Sequence, residues 1–121
     1  MTGKQFFVLG EVRDRHIHSV TFELTGKARE LADTCGGTVT AVLLSGGLDD
    51  DPESLLRSGA DRVMTVEHPV LSMYNQDAEV KVLAHLLRRE TPDVVLAPAT
   101  TSGRTTLPAL AAELETGLTA D

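Results

Sequence analysis

A chain of 121 residues and 12.9 kDa has the size of one domain built on one hydrophobic core, and a hydrophobic share of 41% excludes a disordered chain. Eighteen acidic residues against eleven basic ones leave a net charge of -7, which repels a phosphate backbone and argues against nucleic acid as a partner. The single cysteine, Cys35, excludes an internal disulfide. The histidines His16, His18, His68 and His85 are spread over separate segments, so no metal site is expected.

In chain order, Gln5 to Glu11 (QFFVLGE) is a nearly continuous apolar run, the pattern of a strand buried on both faces. Val12 to His18 is polar, carrying Arg13, Asp14 and Arg15, and reads as a connection. Val20, Leu24, Ala28, Leu31, Ala32 and Cys35 then recur at helical spacing, with Ser19 expected as the N-cap and Gly36 and Gly37 ending the helix. Thr38 to Leu44 (TVTAVLL) is β-branched and apolar, a second strand closed by Ser45, Gly46 and Gly47. Asp49 to Asp51 read as a solvated loop. Pro52 then opens a short helix through Leu55 and Leu56 that ends at Gly59, and Arg62 to Val66 makes a third strand. Beyond a loop through Pro69 and Tyr74, the residues Val80, Leu83, Ala84 and Leu87 share a helical face, and Pro92 terminates that helix. Asp93 to Pro98 (DVVLAP) is a fourth strand. Ala99 to Thr106 is small and polar, and Leu107, Leu110, Ala111 and Leu114 mark a last helix with Pro108 in its first turn and Gly117 at its end.

Strands alternating with helices over short connections predict a single α/β domain with a doubly wound parallel sheet and helices on both faces, in Rossmann-like style. With the first strand central and a strand order 3-2-1-4, the switch point falls between strands one and four. That predicts a crevice lined by Glu11 to His18 and by Ala99 to Thr106. In this crevice Thr100, Thr101, Ser102, Gly103 and Arg104 combine hydroxyls, backbone amides near a helix start and one fixed positive charge, a set suited to an anion. A plain helix cap accounts for the same residues. Neither G-x-G-x-x-G nor G-x-x-x-x-G-K-[ST] occurs, nor any G-x-S-x-G or cysteine nucleophile signature. No catalytic residue is expected. The lack of any apolar run of about 18 residues, and of a signal-peptide layout, points to a cytoplasmic protein without membrane insertion.

The blocks FELTGKARELAD (Phe22 to Asp33), SGADRVMTVEHP (Ser58 to Pro69), PD (Pro92 and Asp93), TTSGR (Thr100 to Arg104), Pro108 with Ala111 and Ala112, and TGLTAD (Thr116 to Asp121), with Tyr74 between them, resemble the amino-terminal domain of the alpha subunit of electron transfer flavoproteins. The resemblance runs from Phe6 to Asp121. Thr105 and Ala109 depart from it, standing where the family usually has aspartate and arginine.

The resemblance implies an adenine nucleotide alpha hydrolase-like fold and a scaffold and interface role in an FAD-containing electron carrier, not a catalyst with its own substrate. It also implies a beta subunit as partner, flavin-dependent dehydrogenases as electron donors and a downstream electron acceptor. In the family FAD is held mainly by the alpha subunit's carboxyl-terminal domain, so this chain is expected to be a piece of a longer polypeptide, or a separately encoded domain, that holds no FAD alone. The alternative is a free-standing nucleotide-binding module of the universal-stress type. A third reading, a small hydrolase, finds no residue set to carry it.

Overall fold

The computed structural model describes residues 3–114, except for the side chains of residues 101–103. Its elements are β1 (Gln5–Leu9), β2 (Val12–Arg13), β3 (His16–Ile17), α1 (Ser19–Asp33), β4 (Thr38–Ser45), β5 (Arg62–Glu67), α2 (Gln76–Glu90), β6 (Val94–Leu96) and α3 (Thr101–Glu113), with short 3-10 turns at Pro52–Leu55 and Pro69–Leu71. The main sheet runs β5-β4-β1-β6 with every pairing parallel, which is the predicted 3-2-1-4 order.

The period-two alternation of buried strands assigns side chains to two cores. Phe6 and Val8 of β1 and Val39, Ala41 and Leu43 of β4 face Ala28 and Ala32 of α1. Phe7, Leu9 and Val42 face the opposite way, onto Val80, Leu83, Ala84 and Leu87 of α2 and Leu110 of α3. The sheet is therefore covered on both faces, as a continuous apolar strand such as β1 requires.

The strand bases are locked by residues of the FELTGKARELAD and SGADRVMTVEHP blocks. Arg29 of α1 donates through Nη1 to Asp61 Oδ2 at 2.8 Å and to the Gly59 carbonyl at 3.3 Å, and through Nη2 to the Gly37 carbonyl at 3.1 Å. Asp61 also accepts the Val39 amide at 2.8 Å. Gly59 sits at φ +124°, and a Cβ there would meet the Arg29 stem at 2.8 Å, so glycine is required both by the backbone and by the close approach. Asp93 caps the neighbouring strand, its Oδ2 accepting the Gln5 amide at 2.7 Å.

Four local expectations are corrected. Residues 12–17 form a two-stranded hairpin, not an open connection, with Val12 opposite Ile17 and Arg13 opposite His16. Its turn places both Asp14 (φ 49°) and Arg15 (φ 68°) in the left-handed region, the type I′ geometry that suits tight hairpins. The acidic run is not merely solvated: Asp49 pairs with Arg15 at 2.9 Å, Asp50 accepts the Ile17 amide at 2.8 Å and faces His16 Nδ1 at 3.1 Å, and Asp51 caps the 3-10 turn through the Glu53 amide at 2.9 Å. The N-cap of α1 is His18, whose Nδ1 accepts the Val20 amide at 3.1 Å, in place of Ser19. Finally, α3 starts at Thr101, so Pro108 lies in the helix interior and removes a donor there. The stop expected at Gly117 lies outside the described residues.

Candidate functional site

The switch point is where the chain leaves β1 toward the α1 face and leaves β6 toward the α2 and α3 face. Glu11, two residues beyond β1, stands at this divergence. Its amide donates to Thr21 Oγ1 at 2.9 Å, and its carbonyl accepts the His18 amide at 2.9 Å and the Thr21 hydroxyl at 3.3 Å. Thr21 is fully buried, so these bonds fix the Glu11 backbone against the first turn of α1. The carboxylate is only 9% exposed. Its Oε1 accepts the Thr100 hydroxyl, and its Oε2 faces the guanidinium of the half-exposed Arg13 without a hydrogen bond from any described residue.

Beside Glu11 lies a pocket of about 120 Å³, whose walls come from the end of β1, the Leu71–Tyr74 segment, Glu79 and Leu83 of α2, Ala97 and Pro98 after β6, and Thr106 and Leu107 of α3. Tyr74 OH and Thr106 Oγ1 are 2.9 Å apart and tie the loop before α2 to α3. Glu79 is half-buried. Its carboxyl is held above the ordinary glutamate value, mainly by burial and further by the negative charge of Glu11, with the Asn75 backbone amide opposing. A second groove of about 430 Å³ shares Val12 and Leu71–Met73 with the pocket and extends past Gly46 and Gly47 to Arg15. The Ser72 backbone comes so close to Gly46 that a Cβ at that glycine would lie 2.6 Å from the Ser72 Cα.

The crevice thus assembles part of the expected residue set and adds to it. Glu11 and Val12 line the pocket from one side and Thr106 from the other. Arg15 to Ile17 instead fold toward Asp49 and Asp50, while Arg13 stays against Glu11. Thr100 is brought onto Glu11, whereas Arg104 is exposed and not part of the pocket wall, its amide bonded to the Thr100 carbonyl at 2.8 Å. Thr101, Ser102 and Gly103 form the first residues of α3, and their side chains lie outside the described ones. Sequence reasoning missed Met73, Tyr74 and Glu79 as site residues. The one available signal was Tyr74, the lone tyrosine, in a loop that also carries Val70, Leu71 and Met73.

Chemically, the pocket wall carries two carboxylates, Glu11 and Glu79, and no described lysine, arginine or histidine, while the Arg13 guanidinium against Glu11 Oε2 offsets the charge of that carboxylate. Among the described residues no group of three or more His, Cys, Asp or Glu side chains could hold a metal ion. No helix among them is long and apolar enough to cross a membrane.

Residues 6–121 match the family model described as electron transfer flavoprotein domain. Over 118 residues the chain is 37% identical to the electron transfer flavoprotein subunit alpha of Clostridium acetobutylicum, covering 98% of this chain and 35% of that protein. It is 39% identical over 118 residues to the subunit alpha of Megasphaera elsdenii, with the same coverage of both. The acryloyl-CoA reductase electron transfer subunit beta of Anaerotignum propionicum is 38% identical over 118 residues, 98% of this chain and 32% of that protein. The chain therefore spans about a third of the length of these relatives.

Proposed function

The chain belongs to the electron transfer flavoprotein family, and we propose that it serves as the amino-terminal scaffold and interface domain of an alpha-type subunit in an FAD-containing electron carrier. The observation that carries this reading is the coverage: a match over nearly the whole chain that takes up only 35% of each relative. In this reading a beta subunit packs on the domain, flavin-dependent dehydrogenases supply electrons, and a redox partner receives them. A relative named as a subunit of acryloyl-CoA reductase extends the role to an electron-delivering part of a larger enzyme.

In this reading FAD is not held by the described residues. The switch-point pocket, at about 120 Å³, falls short of the roughly 300–1,000 Å³ of cofactor and ligand sites, and the half-buried Glu79 on its wall disfavours a diphosphate there; the adjoining groove of about 430 Å³ has the size but only Arg15 as a cationic wall residue, beside Asp14. We propose that flavin is held by another domain of the parent protein, and that this chain contributes shape, burial and contacts. Bound elsewhere, FAD would supply the redox chemistry.

The test is co-purification with a beta-type subunit from the same organism, followed by light scattering and FAD fluorescence. A one-to-one complex, with free FAD unquenched by this chain alone, is the expected result. Failure to form the complex at micromolar concentrations would overturn the proposal. Clear micromolar binding of AMP or ATP to the chain by calorimetry would instead favour the free-standing nucleotide-binding module.

A further inference from the structure

Among the described residues β6 is paired on one side only, and it lacks the features that blunt a natural sheet edge. The opposite edge strand, β5, opens on Arg62 and closes on Glu67, charges that discourage further pairing. β6 reads VVL, without a charge, and Val95 at its centre is 38% exposed. The ladder also fixes which backbone groups face outward. The Lys4 carbonyl accepts the Thr38 amide at 3.0 Å, toward β4, whereas the Gln5 amide and carbonyl turn to Asp93 on the other side. Backbone groups alternate along a strand, so Phe7 also faces β6, and a facing residue in a parallel ladder bonds the two neighbours of its register partner. Val95, opposite Phe7, therefore presents both its amide and its carbonyl to the open side.

Both outer strands are attached to the sheet by one device. Asp61 lies opposite Val39, one step before the ladder pair Thr40 and Arg62. Its amide donates to the Val39 carbonyl at 2.8 Å, and its Oδ2 accepts the Val39 amide at 2.8 Å. Asp93 lies opposite Gln5, one step before Phe6 and Val94. Its amide donates to the Gln5 carbonyl at 2.9 Å, and its Oδ2 accepts the Gln5 amide at 2.7 Å. In each case the carboxylate stands in for the carbonyl that the ladder lacks at its end. The two aspartates follow Ala60 and Pro92, and after α3 the sequence brings a matching pair, Ala120 and Asp121.

The path of the chain leads to the same edge. α2 carries it across the sheet from β5 to β6, and α3 packs on that same face, so a right-handed crossover through α3 continues to the outer side of β6. α3 ends beside the end of α2, where Arg88 Nη2 donates to the Glu113 carbonyl at 2.8 Å. Thr91 and Pro92 alone return the chain from α2 to Asp93 at the base of β6, and residues 114–120 are a longer tether. We propose that residues 115–121 close on the outer edge of β6, with Asp121 clasping Val95, amide to carbonyl and carboxylate to amide, as Asp61 and Asp93 clasp their partners. Polypeptide continuing past Asp121, as the scaffold reading requires, would extend this clasp into a fifth parallel strand. The clasp itself stands on the chain's own residues, and failure to bind a beta-type subunit would leave it intact.

Amide hydrogen exchange of the 121-residue chain, read at Val95 by NMR, tests the clasp. Val95 should exchange about tenfold more slowly in the wild type than in Asp121→Asn, as expected for the loss of one charge-assisted hydrogen bond. Asp93→Asn should release the Gln5 amide by a similar factor, which calibrates the effect of a single clasp. Removing residues 115–121 should raise exchange at Val95 at least as far as Asp121→Asn does, with the amides of β1 and β4 unchanged. Equal exchange at Val95 in wild type and Asp121→Asn would overturn the inference. So would protection of Val95 that rises with protein concentration, the mark of a second copy pairing on the same edge.

Discussion

Replacing Arg29 by alanine should loosen the base of the sheet more than any other surface-charge change. The side chain is 28% exposed and joins α1 to the starts of β4 and β5 through Asp61, the Gly59 carbonyl and the Gly37 carbonyl. Its contact with Asp33 contributes little, because that carboxylate is 66% exposed. Charge-assisted bonds of the Asp61 kind contribute about 1.5–3 kcal/mol each when shielded. Asp61 is 49% exposed, and the freed carbonyls can regain water, so a total loss of about 2–3 kcal/mol is expected. Against a typical stability of about 5–15 kcal/mol, this corresponds to a fall in Tm of about 8–12 °C for a domain of this size. Differential scanning calorimetry with urea unfolding measures it. Arg29→Lys, which keeps the charge but loses the fork, should fall between wild type and Arg29→Ala.

The pH dependence provides an independent check. Burial raises the Asp61 carboxyl, but the Val39 amide and Arg29 outweigh it and hold the group below the ordinary value of 3.8. A depressed carboxylate contributes stability that is present above its unfolded value and lost as pH falls through the folded one. The gap between wild type and Arg29→Ala should therefore narrow in the strongly acidic range to the share carried by the Gly59 and Gly37 carbonyls. A Tm change under about 2 °C at neutral pH, or a gap that persists unchanged in acid, would refute the clamp.

Thr21→Val should cost about 1–3 kcal/mol in urea unfolding, because it strands the buried Glu11 amide without its acceptor. Gly46→Ala forces its new Cβ to 2.4 Å from the Ser72 Cβ and 2.6 Å from its Cα, so it should cost about 1–3 kcal/mol and shift Tyr74 fluorescence by moving the segment that carries it. Glu79→Gln should raise Tm at pH 7. Because burial and Glu11 raise the Glu79 carboxyl above 4.5, its contribution to stability is full below that value and lost as pH rises through the raised one. Glutamine keeps the neutral form, so the gain should vanish at pH 4, and a gain that is independent of pH would rule out this cause.

The strand order was legible because buried parallel strands announce themselves as apolar runs, and short connections leave one hand of crossover. QFFVL reads as a strand buried on both faces, and the structure places it between β4 and β6. The hairpin at 12–17 was hidden because its turn uses Asp14 and Arg15 at positive φ, without the Asn-Gly or Asp-Gly pair that normally signals a type I′ turn. The start of α3 was placed six residues late, since a proline is expected in a first turn and Pro108 is not there. Within the candidate site, Glu11 and the Thr100 to Thr106 segment could be anticipated from the switch-point rule. Tyr74 and Glu79 could not, because their proximity to Glu11 depends on how α2 packs across the sheet, and no local pattern encodes that distance. The acidic run Asp49 to Asp51 misled for the same reason, its partners Arg15 and His16 being 34 residues away in sequence.

Glu11 bonds through its backbone to α1, through one carboxylate oxygen to Thr100 just before α3, and faces Arg13 of the hairpin with the other. The two walls of the cleft consequently share a hinge pin and are not separate degrees of freedom. Any partner that prises α3 outward must also unseat the hairpin, and any ligand that settles the hairpin stiffens the start of α3. Contact on one rim would be registered on the other as a change in mobility, with no displacement of the sheet beneath.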